Sequence, residues 1–461
     1  MIDKKIEELI GFDNTFDFTK RVINNKLGLT FFIYFNPFLI DSLKVSRLMT
    51  SLIKIKDKIN IDNYDAIIKD EFISESISET NSLDELKDAI FNGDFTICIN
   101  GANKFYYMET KNYPSRSINE PEIEKVVRGS RDGFTEVMAT NIGLIRRRIK
   151  DKNLCLKEYI IGNISKTKVI LVYLKNVIKD DVLDNITKKL SSIKVKELTM
   201  SDKALEELLL NNSYTPYPLV KYTERPDTLA MHLYQGMFGL IVDTSPSAIL
   251  APVTVFDHMQ HAEEFRQTVV AGSYLRVVRF ITVVLSFLIM PLWYALTTNK
   301  NLPQVLSFIN NNSSSHLSIF FQLLIVEIGV EVIRMASIHT PSQLSTSMGL
   351  ISGIILGDLA IKAGIFSESM VILASISAIG SYVTPSYELS IANKMVKIAL
   401  IAFVFLFKWY GFVIGLILLT IYLARLKSFN RPYLYPLIPF SFKNIIKQLT
   451  REPYIIKEKT K

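Results

Sequence analysis

Long apolar runs between residues 275 and 425 constrain this chain more than any other feature. The first of them, "VVRFITVVLSFLIMPLWYALT" (277–297), has the roughly 20 residues that a helix needs to cross a bilayer. Inside lipid a backbone must satisfy its own hydrogen bonds, and a helix does so within one segment. Residues 1–270 carry charges throughout, so the sequence predicts a polar N-terminal region followed by an α-helical transmembrane domain.

Positive charges predict how the spans are oriented. Arg276 and Arg279 precede the first span, and the loop 298–316 has a single lysine, which places that loop outside. Further spans are predicted at about 317–337, 345–362 and 369–383. We interpret the apolar segment 394–425 as a hairpin broken near Lys408, because a hairpin keeps the basic tail inside; one long helix is the alternative.

Composition divides the chain into four parts. The opening "MIDKKIEELIGFDNTFDF" has no apolar leader segment, which favours a cytosolic N-terminal region. We predict a first cytosolic subdomain, a second cytosolic subdomain with a connector, a helical membrane domain of about five to six segments and a basic cytosolic tail, at residues 1–125, 126–272, 273–426 and 427–461.

Three charges lie inside the second predicted span. Glu327, Glu331 and Arg334 are spaced i, i+4, i+7, so they share one helix face. A charge near the bilayer centre costs roughly 2.5–3.5 kcal/mol, so this face should meet protein or water rather than lipid. Glu331 and Arg334 are predicted to form a structural ion pair. Glu327 has only a like charge nearby, so it is protonated, meets a passing cation or receives a base from another helix.

We therefore predict Glu327 as a candidate for an ion path, with Asp358 in the third span as a second candidate. The third span also carries small residues at every fourth position. They are Ser345, Gly349, Gly353 and Gly357. Such a stripe lets two helices approach closely in lipid, either within one chain or between subunits.

The polar region contains an internal repeat. The stretches "DELKDAIFNGDFTICINGANKFYYM" (84–108) and "DTLAMHLYQGMFGLIVDTSPSAILA" (227–251) align without a gap, each as a helix, a glycine and a hairpin. We interpret them as a duplicated unit, which predicts an α/β region of two related subdomains; chance similarity is the alternative. Cys98 and Cys155, the only cysteines, are predicted in buried strands rather than in a disulfide.

The sequence contains none of the common enzyme motifs considered below. The chain has no phosphate-binding glycine loop and no nucleophile elbow, so we predict no catalytic residue and no cofactor. The best chemical candidate is "FDHMQHAEEFRQ" (256–267), where His258, His261 and Glu264 are spaced by three residues. A zinc site there is the alternative to a polar interfacial helix, which we prefer. The net charge of +8 follows the predicted topology, and we expect no nucleic-acid partner.

A glycine- and arginine-rich turn precedes the helix-like "IGLIRRRI" (142–149). It includes Arg128, Gly129, Arg131 and Gly133. We predict a structured loop followed by an exposed basic helix, with anion binding at the helix start as the alternative.

Four separate segments together resemble the spore germination receptor A-subunit family. They are residues 124–151, "ERPD" (224–227), residues 331–390 and "SFNRPYLYPLIP" (428–439), in the family's order. The segment 242–267 is most similar to the stage V sporulation branch of that family. The positions that fall on family motifs are Arg128, Gly129, Arg131, Gly133, Glu331, Arg334, Pro341, Gly349, Gly353, Gly357, Pro385, Tyr387 and Glu388.

This resemblance implies a multi-pass protein of the spore inner membrane with a cytosolic N-terminal region. It implies a homo-oligomer, expected to be a pentamer, that contacts membrane lipid and other germination membrane proteins and forms a channel for monovalent cations. A membrane-anchored sensor or scaffold that does not conduct is the second hypothesis. A carboxylate-driven transporter is the third, although paired broken helices in an inverted repeat are not evident.

Overall fold

The chain forms two compact units in the computed structural model, which describes residues 2–73, 76–112, 124, 126, 128–210, 214–298, 317–339, 349, 353 and 355–451. The first unit comprises Met1–Ser213 and Val220–Pro252, and the second comprises Tyr214–Leu219 and Val253–Lys461. Residues 253–272, predicted as a connector, therefore cluster with the helical unit.

The first subdomain is a five-stranded antiparallel sheet with helices on both faces. Its strands are β1 Thr19–Asn24, β2 Thr30–Phe35, β3 Ile77–Thr80, β4 Phe95–Ile99 and β5 Phe105–Met108, in the order β1-β2-β4-β5-β3. Its helices are α1 Ile2–Ile10, α2 Ser42–Ile55, α3 Tyr64–Glu71 and α4 Leu83–Asn92. Side chains alternate along β4, so Ile97 packs in the core beneath α2 and α3, whereas Cys98 packs beneath α1 and α4. Every residue of β4 is consequently buried.

The second subdomain repeats this arrangement. Its strands are β6 Leu154–Ile161, β7 Thr167–Leu174, β8 Lys221–Thr223, β9 Phe238–Val242 and β10 Ala248–Ala251, in the order β6-β7-β9-β10-β8. Its helices are α5 Met138–Arg148, α6 Asp180–Ser192, α7 Ser201–Leu209 and α8 Pro226–Leu233. Strand for strand, the two sheets have the same order and the same antiparallel pairing. The prediction of two related α/β subdomains is confirmed.

The repeated glycine has the same conformation in both copies. Gly93 caps the end of α4, and Gly236 lies three residues after the end of α8. Each has a φ of +86°, in the left-handed region that favours glycine. At Gly93 a β-carbon would also lie 2.9 Å from the backbone oxygen of Leu39, so space as well as conformation requires glycine.

One buried ion pair joins the two subdomains. Arg146 of α5 donates from Nε to Oδ2 of Asp17 at 2.7 Å and from Nη2 to Oδ1 at 3.0 Å, and neither side chain is exposed to solvent. Its guanidinium lies 5.1 Å and 5.4 Å from the ring centroids of Phe18 and Phe91. Asp17 belongs to the first subdomain and Arg146 to the second, so burial of this pair fixes how the two meet.

Four long helices form the core of the second unit. They are α10 Val269–Thr297, α11 Ile319–His339, α12 Glu368–Val383 and α13 Tyr387–Arg425. The remaining elements are α9 Val255–Met259, a π-helical turn Ile355–Leu359 with the short helix Ala360–Lys362, the strands β11 Lys427–Ser428 and β12 Arg431–Pro432, and α14 Phe442–Leu449. Among the described helices, α10 and α13 are long and apolar enough to cross a membrane.

The longest helix, α13, is broken at Lys408, whose φ of 53° and ψ of −133° are not helical. A side chain at Gly411 would collide with the carbonyl oxygen of Phe403, and one at Gly415 would lie 2.6 Å from Leu400. Residues 403 and 411 would be about 12 Å apart in a straight helix, so the chain reverses here. The break lies where the sequence predicted the hairpin to turn.

The end of the first span differs from expectation. Trp293 and Tyr294 form an aromatic pair near the end of the predicted span, a position typical of the membrane interface. Both side chains are instead buried in the helical core, with Met290 and Leu323. Large aromatic side chains fill a bundle interior as readily as a headgroup region, and their position along the sequence does not separate the two.

We predict that Arg146→Met lowers the unfolding free energy of the N-terminal unit by about 3–5 kcal/mol, because Asp17 would be left as a buried, uncompensated charge. Urea denaturation of the full-length protein in detergent would measure this. Arg147→Met, at the exposed neighbouring position, should cost at most about 1 kcal/mol. Equal losses in the two variants would contradict the role assigned to Arg146.

We also predict that Gly93→Ala destabilises the protein more than Gly28→Ala. Both glycines have positive φ, which costs an L-residue about 1–2 kcal/mol. Only Gly93 has backbone against its missing β-carbon, which adds about 1–3 kcal/mol; at Gly28 that space is open. The difference in urea midpoint between the two variants measures the effect of the close contact between position 93 and the backbone of Leu39, without the effect of positive φ.

Candidate functional site

A buried pair of opposite charges lies between α11 and α13. Nζ of Lys397 is 2.6 Å from Oε1 of Glu327, and their side chains are only 2% and 7% exposed. The same Nζ donates to Oγ of Ser377 on α12 at 2.7 Å, and Ser377 donates to the carbonyl oxygen of Ser286 on α10 at 2.5 Å. The four long helices therefore all contribute to one polar network.

A second layer of charges lies one helical turn away. Glu331 accepts from Nζ of Lys394 at 2.6 Å and also pairs with Arg334. The Arg334 guanidinium lies 4.8 Å from the ring centroid of Tyr387, at the start of α13. Glu331 and Arg334 form an ion pair as the sequence predicted, with Lys394 as an added partner.

The two layers form a charge ladder, defined here as Glu327, Glu331, Arg334, Lys394 and Lys397. The acidic residues of α11 are i, i+4 and the lysines of α13 are i, i+3, so two turns of one helix face two turns of the other. Three cations face two carboxylates, which leaves an excess of one positive charge among the five groups.

Of the three possibilities left open for Glu327, the structure shows the last one, a base supplied by another helix. Its base comes from α13, where Lys397 opens the apolar run "IALIAFVFLF" (398–407). A lysine that precedes such a run is typical of a helix end at the membrane surface. The sequence pattern therefore did not indicate that Lys397 is the partner of Glu327. Contact between the two helices was the missing information.

Glu327 lies well inside α11 and not at its end. Glu327 is about 12 Å along the axis from the first residue of α11. Charged groups at this depth are costly unless they are paired, and the geometry pairs both carboxylates. Chemically, a carboxylate released from Lys397 would be free to take up a proton or to bind a monovalent cation.

Asp358 does not join the ladder. It lies in the π-helical turn, half or more exposed, with Oδ2 at 2.7 Å from Nζ of Lys362. A β-carbon added at Gly349, Gly353 or Gly357 would meet no atom within 4 Å in the part of the chain that the structure describes. Ser345 of the same stripe and Pro341 lie outside the described residues.

The proposed zinc ligands do not share a helix face. Helix α9 ends at Met259 and Gln260 is extended, so His258 and His261 belong to different elements. His261 caps the next helical turn, where its Nδ1 accepts from the backbone N of Glu263 at 3.2 Å. Glu264 instead pairs with Arg276 at 2.9 Å and with Arg279. Within the described ranges, no group of three His, Cys, Asp or Glu side chains is placed to hold a metal.

The arginine- and glycine-rich loop is held by other arginines. Nη2 of Arg225, in the second family segment, donates to the carbonyl oxygen of Ser130 at 2.9 Å. Arg148 pairs with Asp132, and although burial raises the pKa of Asp132, its hydrogen bonds to Arg148 and Ser130 hold it below the usual value. Helix α5 begins at Met138, so the loop is not the helix start that the alternative of anion binding required. The helix itself is less exposed than predicted, because Arg146 is buried.

The remaining motif residues lie in that loop or at helix boundaries. Arg128 and Arg131 of the loop are exposed and Gly133 is buried. Pro385 lies between α12 and α13, and Ser386 caps α13 by accepting from the backbone N of Leu389 at 3.3 Å. Tyr387 lies against Arg334, and Glu388 accepts from Oγ of Ser386 at 3.0 Å.

Known proteins are similar to this chain over most of its length. The family model described as Bacillus/Clostridium GerA spore germination protein matches residues 4–461. Stage V sporulation protein AF of Bacillus subtilis is 41% identical over 421 residues, which is 91% of this chain and 85% of that protein. Spore germination protein A1 of Bacillus subtilis is 28% identical over 446 residues, 96% of this chain and 91% of that protein.

One solved structure is similar to part of the chain. The N-terminal domain of the A subunit of the Bacillus megaterium spore germinant receptor GerK3 matches with a TM-score of 0.42 and 26% identity, over 54% of this chain and 92% of that chain. The family model that matches residues 4–461 and the 41% identity to stage V sporulation protein AF show that this chain belongs to the GerA family of spore germination proteins.

Proposed function

We propose that this chain is a multi-pass protein of the spore inner membrane whose subunits assemble around a path for monovalent cations and release them during germination. Membership of the GerA family supports a role in spore germination. The charge ladder supports the further step to ion movement.

The single observation that carries this proposal is the burial of Glu327 and Lys397 inside an apolar bundle. A buried ion pair contributes little net stability, since apolar side chains of similar volume often do as well. Ionisable groups at membrane depth are mostly found where ions or protons move. The pair is therefore better accounted for by ion movement than by stability.

The pair also supports a specific closed state. While Lys397 holds Glu327, the carboxylate is neutralised and a cation gains nothing by approaching it. Conduction then requires the lysine to move away, and Glu331, one turn along, is an alternative carboxylate for it. We assign Glu327 as the cation-binding group of the open path and Lys397 as its counter-charge in the closed one.

Assembly of subunits is supported by the third predicted span. Among the residues that the structure describes, none comes within 4 Å of a β-carbon at Gly349, Gly353 or Gly357, and Asp358 beside them is exposed with Lys362. Small residues on an open face let a second helix approach closely in lipid. We propose that this stripe packs between the subunits of a homo-oligomer, and we expect the homo-oligomer to be a pentamer.

We predict that Glu327→Gln slows potassium release from germinating spores by about tenfold, which corresponds to a barrier rise of about 1.4 kcal/mol. Lys397 would remain as an uncompensated positive charge beside the path, and it would repel cations. Potassium efflux, measured in spores with equal amounts of the protein in the membrane, tests this. Glu368→Gln, at the exposed start of α12, is the matched control and should leave efflux unchanged.

The charge-swapped protein Glu327→Lys with Lys397→Glu separates a charge effect from a folding defect. It restores a neutral pair between the same helices, so we expect efflux closer to the unmodified protein than Glu327→Gln gives. Unchanged efflux in Glu327→Gln, with normal insertion, would refute the assigned role of Glu327.

The second candidate is a non-conducting membrane anchor with a sensing or scaffolding N-terminal unit. The neutral Glu327–Lys397 pair is also compatible with an anchor, because it joins helices without leaving a net charge. Purified protein in planar bilayers distinguishes the two: conductance supports the channel. Absence of conductance, together with capture of other germination membrane proteins through residues 1–252, supports the scaffold.

A further inference from the structure

The last described helix, α14, is attached to the first turns of α10. Nη1 of Arg276 donates to the carbonyl oxygens of Gln448 and Thr450, both at 3.2 Å. The backbone N of Arg451 donates to Oγ of Ser273 at 2.9 Å. Helix α14 is therefore held at the level where α10 begins its apolar run.

Helix α14 has three distinct faces at 100° per residue. Its amide face holds Asn444 and Gln448, which bind Tyr435 and Gln260 at 2.6 Å each. Its basic face holds Lys443 and Lys447. Its apolar face consists of Phe442, Ile445, Ile446 and Leu449.

The apolar face is not covered by the described chain. No residue of α14 is buried, and Phe442 and Ile446 are 67% and 44% exposed. Phe440, just before the helix, is 73% exposed. The amide face binds the protein, so the apolar face is left to meet the surroundings.

We propose that α14 is an interfacial helix that lies in the surface of the bilayer crossed by α10. Its apolar face enters the boundary between headgroups and acyl chains, and the exposed Lys443 beside that face contacts anionic phospholipid headgroups. An apolar face flanked by lysines is the composition of helices that lie in this zone. Each lysine near an anionic surface adds electrostatic attraction.

Two observations favour lipid over a second protein chain as the occupant. The helix is continuous, through Arg276 and Ser273, with the first turns of a candidate membrane span. A specific protein interface needs roughly 800 Å² from each partner, and four side chains on two helical turns supply much less. The proposal depends on α10 crossing a bilayer and does not depend on ion conduction.

Spin labels on the full-length protein in vesicles test this proposal. Single cysteines replace the apolar face (Phe442→Cys, Ile446→Cys) and the basic face (Lys443→Cys, Lys447→Cys), while native Cys98 and Cys155 are buried. Leu43→Cys, on α2 and 73% exposed, is the aqueous control. Power saturation compares accessibility to oxygen, which concentrates in lipid, with accessibility to a water-soluble nickel chelate.

In vesicles that contain phosphatidylglycerol, we expect labels at 442 and 446 to favour oxygen, and labels at 443 and 447 to favour the nickel chelate. Lys443→Glu with Lys447→Glu should shift the label at 446 towards the nickel chelate, and more so with phosphatidylglycerol than with phosphatidylcholine alone. If all four labels match the control at position 43, the proposal is overturned. Spin–spin broadening at 446 would also overturn it, in favour of a second copy of the chain.

Discussion

Neutralisation of Glu327 by Lys397 is the interaction on which the helical unit depends. The lysine also donates to Ser377, and Ser377 donates to the carbonyl oxygen of Ser286, so α10, α11, α12 and α13 each supply one group. In a low-dielectric interior, each of these groups would cost considerable free energy if it lost its partner. The arrangement of the four helices is therefore tied to one chain of polar contacts.

The same requirement recurs in both units. In the N-terminal unit, Arg146 and Asp17 are fully buried and join two subdomains that each have their own sheet. In the helical unit, Glu264 is buried between Arg276 and Arg279 at the first turns of α10. In each case a charge is buried where two elements must meet in one way, because a shifted contact would leave it uncompensated.

Much of the architecture could be predicted from local patterns. The alignment of the two helix–glycine–hairpin stretches predicted the repeated subdomains. It succeeded because a left-handed glycine and alternating apolar residues are patterns that extend over only a few residues. The i, i+3 spacing of Glu331 and Arg334 predicted their ion pair, again because the pattern is local. The interfacial helix predicted over residues 256–267 and its zinc alternative both assumed one continuous helix, whereas the chain leaves the helix at Gln260.

By itself, then, the sequence determined the class of the protein, the repeat, the apolar helices and the face on which α11 carries its charges. Only the tertiary structure decided which base neutralises each acid. Lys394 and Glu331 are 63 positions apart along the chain, and Lys397 reaches Glu327 only because α13 packs against α11. Helical periodicity acts over a few residues, whereas a salt bridge between helices depends on how the whole bundle closes.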